Sequence, residues 1–331
     1  MAAKLTEGEE AKTLDRESSP SVTASPRHLP LAGEDRTSAT ASIPDPALAS
    51  GRGEVVTTRF APSPTGRLHL GHAYSAVLAH DYARDRGGRF LVRVEDIDGT
   101  RSRDEHVDAI LADLAWLGLA WDGPVVFQSQ RLHLYAAALD RLKAGGLVYP
   151  CFCTRAEIAA ASASAPHGPE PVYPGTCRGI DLAGRMAEPH CWRIDMTAAA
   201  EAVGPLDWWD EVAGTVRGAA LAQGDVVLAR KDAPASYHLA VTIDDAAQGV
   251  TDVVRGVDLF AATHVHRLLQ ALLGLPMPRY HHHLLLTGAD GERLAKRHGG
   301  PSLAAMRDAG EDGPALANRL RAGIGIGTVS A

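Results

Sequence analysis

Between residues 54 and 150, short apolar β-branched runs alternate with apolar positions at helical spacing. Val55 to Phe60 reads as a strand, which Pro62, Pro64 and Gly66 stop and turn into a loop. Tyr74, Val77, Leu78 and Tyr82 then recur every three to four residues, which predicts a helix over 72–86 ended by Gly87 and Gly88. A strand over 90–95 follows. Next come a helix with Val107, Ile110, Leu111 and Leu114 on one face and another with Leu132, Tyr135, Leu139 and Leu142. This β-α-β-α order predicts a parallel sheet covered by helices, a Rossmann-like α/β fold. There is no G-x-G-x-x-G, so dinucleotide binding is not favoured.

Residues 151–200 break the rhythm with cysteines, an Ala/Ser/Pro loop and Gly/Pro turns, and are expected to be a small inserted module. The α/β pattern resumes at 225–228, 240–243 and 253–255, followed by a helix bearing Val265, Leu268, Leu269 and Leu272. Segments 54–150 and 201–331 are therefore expected to be two halves of one catalytic domain, with a short tail. Residues 1–53 are rich in Ser, Ala, Pro and Thr, and the first aromatic residue is Phe60; a disordered extension is expected there. Glu7, Glu9, Glu10, Glu17, Glu34 and Asp35 argue against a transit peptide.

With 331 residues, 45% hydrophobic and 22% charged, the chain can bury a substantial core. No apolar run approaches the roughly 20 residues that span a bilayer, and the first residues lack a secretory apolar core, so a cytoplasmic protein with no membrane partner is expected. A net charge of −7 excludes a surface basic all over. It leaves room for RNA, which needs only a local groove of Lys and Arg.

His69, Gly71 and His72 fall where the loop enters the first helix. Backbone N–H groups and the positive helix end converge there, two imidazoles add donors, and Gly71 admits a flat base, so the stretch suits a nucleotide phosphate. A proline-rich turn with two surface histidines is the plainer alternative. Glu95-Asp96-Ile97-Asp98 places carboxylates at a strand's carboxyl end, where an ammonium could bind. Cys151-x-Cys153 and Tyr173-x-x-x-Cys177 could close around zinc, with Cys191, His167 or His190 as other candidates for the fourth ligand; reduced cysteines in a small core are the alternative. His281-His282-His283 is expected at a strand entry near the nucleotide rather than at a metal. Arg293-Leu294-Ala295-Lys296-Arg297 forms a basic loop able to neutralise phosphates.

The long form Arg59-Phe60-Ala61-Pro62-Ser63-Pro64-Thr65-Gly66-x-Leu68-His69-x-Gly71-His72 resembles the first signature of the glutamyl branch of class I aminoacyl-tRNA synthetases. The resemblance covers Arg59 to Lys296, and within the branch it is strongest to short relatives that act on tRNA(Asp). It implies a class I catalytic domain in which His69, Gly71, His72 and Lys296 bind ATP with Mg²⁺, and His69, His72 and Lys296 are catalytic. It also implies that Arg59, Phe60, Ala61, Pro62, Ser63, Glu95, Tyr237 and Arg255 bind L-glutamate, Glu95 through the α-amino group. A glutamate brings two carboxylates and two arginines suit them; which takes which stays open. For the cysteines it points to Tyr173, giving structural zinc on Cys151, Cys153, Tyr173 and Cys177, with 159–171 as a longer spacer. Where the family's second signature reads Lys-x-Ser-Lys, Arg293 and Ala295 stand here.

The implied reaction is glutamate activation followed by transfer to the queuosine base in the anticodon loop of tRNA(Asp). Only 35 residues follow Lys296, so no anticodon-binding domain is expected, and the catalytic body, expected to be a monomer, would hold the RNA. The alternatives are a truncated synthetase charging a tRNA 3′ end, a non-catalytic RNA-binding paralogue, and a small-molecule nucleotidyltransferase.

Overall fold

The computed structural model describes residues 55–99, 101–162, 172–286, 301–323 and 329–330. The expected extension over 1–53 and the loop of Arg293 to Arg297, with Lys296, lie outside the described residues.

The apolar run 55–60 forms β1 (Thr57–Phe60), and the helical periodicity after it becomes α1 (Leu70–Arg84). β2 (Arg89–Val94) returns parallel to β1, with Thr57 opposite Arg89 and Phe60 opposite Val92. Gly88 makes that return tight. A Cβ there would collide with the backbone oxygen of Val56, so only glycine lets the chain pass this closely. After α2 (Asp104–Trp116), β3 (Val126–Phe127) extends the sheet on the outer side of β2.

α3 (Leu132–Ala144) leads into a second, smaller sheet. Its strands β4 (Val148–Cys151) and β5 (Cys191–Ile194) pair antiparallel; α4 (Arg155–Ser162) lies between them in sequence and α5 (Met196–Val203) follows. β6 (Asp207–Asp210) and β7 (Gly214–Arg217) form an antiparallel pair, and β8 (Val227–Ala229) completes the small sheet beside β5. The small sheet thus draws strands from both sides of the cysteine-bearing stretch.

α6 (Tyr237–Ala247) contains residues 240–243, so this Ala-Val-Thr-Ile run is helical rather than a continuation of the strand pattern. Leu239, Ala240, Val241 and Thr242 are all buried. A helix apolar on most sides loses the polar face that marks helical period, and its short β-branched run then looks like a strand.

β9 (Asp252–Gly256), α7 (Phe260–Leu273) and β10 (Arg279–His283) finish the large sheet, with β10 parallel to both β9 and β6. Thr251 N–H donates to Thr57 O at 3.0 Å and Thr57 N–H to Thr251 Oγ1 at 2.8 Å, which joins the β9 edge to β1. The carboxyl ends of β1, β2 and β9 therefore gather along one side, where open parallel sheets bind ligands. β11 (Leu285–Leu286), α8 (Leu303–Asp308), α9 (Gly313–Ala322) and β12 (Val329–Ser330) close the described chain.

Phe60, Ala73, Val77, Phe90, Ile110 and Leu114 form the core on the α1 side. Alanines 73, 76, 79 and 83 let α1 lie close to the strands, and Leu316 and Leu320 of α9 join the same cluster. Tyr135, Leu139, Leu239, Val265 and Leu268 make a second core among α3, α6 and α7. Each large apolar side chain removed from water contributes roughly 1.5–3 kcal/mol, which fixes the strand ends that carry the site.

Candidate active site

His69 is the N-cap of α1, and the cap is built from both signature histidines. His69 Nδ1 accepts the Gly71 N–H at 3.2 Å, and His72 Nδ1 accepts the His69 N–H at 3.2 Å. This is a capping box made of imidazoles. With both Nδ1 atoms accepting, each neutral ring carries its proton on Nε2, where it is a donor. The ring centroids lie 3.9 Å apart, at the positive end of the α1 dipole.

A cavity of about 440 Å³ opens beside this cap. Arg59, Phe60, Ala61, Pro62, Ser63, His69, Gly71, His72, Glu95, Tyr237 and Arg255 all line it. Residues separated by nearly two hundred positions therefore meet in one cleft. Tyr74, Ser75 and Asp258 line it too and had no assigned role from sequence; His283, from the histidine run expected near the nucleotide, lines it as well. Ser75 follows His72 by three residues, so helical spacing alone could have indicated it. At Gly256 an added Cβ would crowd the Asp258 and Leu285 side chains, which would have to shift to make room beside Arg255.

Of the acidic turn after β2, only Glu95 lines the cavity. Asp96 accepts from Ser129 N–H at 2.8 Å and Ser129 O–H at 2.6 Å, and Asp98 pairs with Arg101 and Arg230. Glu95 N–H donates to Pro62 O at 3.0 Å, tying the turn to the signature loop. Burial pushes the Glu95 carboxyl up to about 7, against the pull of Arg93 and Arg59. Arg93 Nη2 is 3.7 Å away, and the same guanidinium also serves Asp245 and Asp244, so it compensates Glu95 only in part.

Arg59 Nε binds Asp245 Oδ1 at 3.0 Å. Arg255 is buried, and its N–H groups go to Tyr237 Oη, Thr263 Oγ1, Leu259 O, His266 and His282, with no carboxylate partner among the described residues. Asp245, the buried partner of Arg59, is what sequence reasoning missed most completely, since it lies 186 positions away.

The three consecutive histidines diverge, as β-strand alternation requires. His281 packs against Tyr82 and His283 Nε2 lies 3.0 Å from Ser75 Oγ, both on α1. His282 turns the other way, to Asp210 and Arg255.

In the small sheet, the sulfurs of Cys151, Cys153 and Cys177 lie within 4.8 Å of one another, and all are free thiols. Tyr173 Oη lies 3.3 Å from Cys151 Sγ and 3.6 Å from Cys153 Sγ, and accepts the Cys177 N–H at 2.9 Å. Cys153 and Cys177 sulfurs are 3.4 Å apart, near the roughly 3.8 Å edge of a tetrahedron with zinc–sulfur bonds of about 2.3 Å. Hydrogen bonding from Cys191 pulls the Cys151 thiol down to about 4, while burial pushes Cys153 up to about 11. Three crowded sulfur donors beside a phenol oxygen suit a bound cation. Cys191 Sγ faces Cys151 O at 3.5 Å, His190 Nδ1 lies 2.8 Å from Glu188 O, and His167 is outside the described residues.

A capped helix N-terminus, an acid and two arginines thus line one cavity at the carboxyl ends of parallel strands. Residues 55–325 match the tRNA synthetases class I (E and Q), catalytic domain, and the chain belongs to that family. It is thus a ligase of the aminoacyl-tRNA synthetase type, one that uses ATP and Mg²⁺. It is 51% identical over 276 residues to the glutamyl-Q tRNA(Asp) synthetase of Rhodobacter capsulatus, covering 80% of this chain and 98% of that one. It is 47% identical over 263 residues to that of Symbiobacterium thermophilum, covering 76% and 81%. The solved glutamate-tRNA synthetase of Elizabethkingia anophelis superposes with a TM-score of 0.69 at 26% identity, over 81% of this chain and 61% of that one. The chain thus spans about three fifths of that structure's length. No helix among the described residues is long and apolar enough to cross a membrane.

Proposed function

We propose that this chain activates L-glutamate with ATP and transfers the glutamyl group to the queuosine base in the anticodon loop of tRNA(Asp). The observation that carries the first half is the single cleft shared by the α1 cap, Glu95, Tyr237, Arg59 and Arg255. In its carboxylate form Glu95 holds the α-ammonium, and the two guanidinium groups take the two carboxylates. An α-carboxylate oxygen attacks the α-phosphorus of ATP, the bond to the bridging oxygen breaks, and pyrophosphate leaves. His69 and His72 offer Nε2–H donors to the phosphate oxygens, and Lys296 is the expected cation of the basic loop. Mg²⁺, when bound, neutralises phosphate charge. A nucleophile on the RNA then attacks the acyl carbon and releases AMP.

Cys151, Cys153, Tyr173 and Cys177 would hold a zinc ion with a structural role, since four protein ligands leave no open position. The acceptor is supported by the names of relatives matched over 98% and 81% of their lengths.

The test is incubation with labelled glutamate, ATP and tRNA(Asp) bearing or lacking queuosine. Label confined to the queuosine-bearing RNA is expected. Label at the 3′ end of unmodified tRNA(Glu) would favour a synthetase that charges acceptor ends.

A further inference from the structure

Behind Arg255, Asp210 and His282 form a buried relay outside the cavity. Asp210 Oδ1 is fixed by the Val212 and Ala213 N–H groups at 3.0 and 2.9 Å, and Oδ2 accepts the His282 backbone N–H at 3.2 Å. Oδ2 also faces His282 Nδ1 at 2.7 Å. An ionised carboxylate only accepts, so Nδ1 carries the ring proton and Nε2 keeps its lone pair. That lone pair receives Arg255 Nε–H at 3.1 Å, and Thr263 Oγ1 lies 3.2 Å from the same nitrogen. His266 repeats the pattern. Its Nδ1 faces Arg255 Nη1 at 3.4 Å, which leaves its proton on Nε2, 3.2 Å from His238 Nδ1.

Resting on the glutamate-activating role proposed above, we infer that Asp210 and His282 are positioning residues for Arg255. By fixing one imidazole tautomer, they aim the guanidinium at a substrate carboxylate. Arginine has no acceptor, so a proton on His282 Nε2 would set N–H against N–H and push the guanidinium off its line. Burial lowers the pKa of His282, His266 and His238 alike, consistent with neutral rings. Arg255 thereby stays a buried cation held by uncharged acceptors, and a carboxylate entering the cavity supplies its counter-charge.

The test is a double-mutant cycle on glutamate-dependent ATP–pyrophosphate exchange. In Asp210→Asn the oxygen stays with the Val212 and Ala213 N–H groups, so the amide N–H₂ faces His282, where it opposes the backbone N–H, donates to Nδ1 and drives the ring proton to Nε2. In His282→Gln the side-chain amide oxygen can accept from Arg255 whatever stands at 210. Asp210→Asn alone is expected to raise the KM for glutamate about tenfold, with the KM for ATP within about twofold. His282→Gln is expected to raise the glutamate KM about threefold, less than Asp210→Asn, and adding Asp210→Asn to it should cost little more. The ¹⁵N signal of His282 Nε2 should be that of an unprotonated ring nitrogen. Equal cost of Asp210→Asn in both backgrounds, parallel loss of ATP and glutamate binding, or a protonated Nε2 would overturn the inference. Exchange by the unaltered protein that does not depend on glutamate would overturn the proposed function instead, and the ¹⁵N signal would still decide the tautomer.

Discussion

Arg59 Nε lies 3.0 Å from Asp245 Oδ1, and Arg93 Nη1 reaches the same oxygen at 2.8 Å. One of the two cavity arginines is therefore already half neutralised, while Arg255 is held by uncharged acceptors. The difference makes the two sites unequal partners for an anion, because an incoming carboxylate gains most where no other competes.

Replacing Arg255 should show that inequality. Arg255→Ala is expected to lower kcat/KM for glutamate on the order of 100-fold or more, with the KM for ATP nearly unchanged. Arg255→Lys should recover little, since an ammonium cannot reproduce the planar fork that reaches Tyr237, Thr263 and the histidines together. Steady-state exchange kinetics with each substrate varied in turn decides this.

Asp245 serves stability more than chemistry. Asp245→Asn removes a buried counter-charge shared by Arg59 and Arg93, and is expected to cost about 3–5 kcal/mol in urea unfolding. A loss below about 1 kcal/mol would mean that Asp244 takes over the charge of Arg93, to which it lies at 3.8 Å.

Glu95 sets a pH dependence of defined sign. Its carboxyl is raised from 4.5 to about 7 by burial, so between those values the folded chain holds a proton that the unfolded chain has released. The stability from this group is complete below about 4.5 and is lost as pH rises through about 7. Substrate binding runs the other way, because an ammonium needs the carboxylate. The KM for glutamate should fall as pH rises through about 7, and Glu95→Gln should give a high KM without that inflection.

Metal content tests the cysteine cluster. Elemental analysis of the purified protein should find about one zinc per chain, and Cys177→Ser should lose it together with thermal stability. Cys191→Ser should retain the metal, since Cys191 faces the Cys151 carbonyl and lies outside the three-sulfur group. Equal loss in both variants would place Cys191 among the ligands.

How much was legible in the chain follows from the range of each signal. β1, the proline loop and the capped helix are consecutive, so local period and punctuation expose them, with the helix starting two residues before the expected 72. Glu95 and Arg255 sit at strand ends whose apolar runs are plain in the sequence. Asp245 was not legible, because its helix is buried on most sides and its partners are 152 and 186 positions away. Asp210 and His282 were hidden for a similar reason. They act through Arg255 from behind the cavity, and nothing in a strand's alternation says which neighbour a buried histidine will meet.

The most direct measurement is glutamate-dependent ATP–pyrophosphate exchange by the unaltered protein, compared with Arg255→Ala and Glu95→Gln. Exchange that requires glutamate and falls at least tenfold in both variants is the predicted result. Exchange with no amino-acid requirement, or exchange that survives both substitutions, would contradict a cavity in which amino acid and nucleotide are joined.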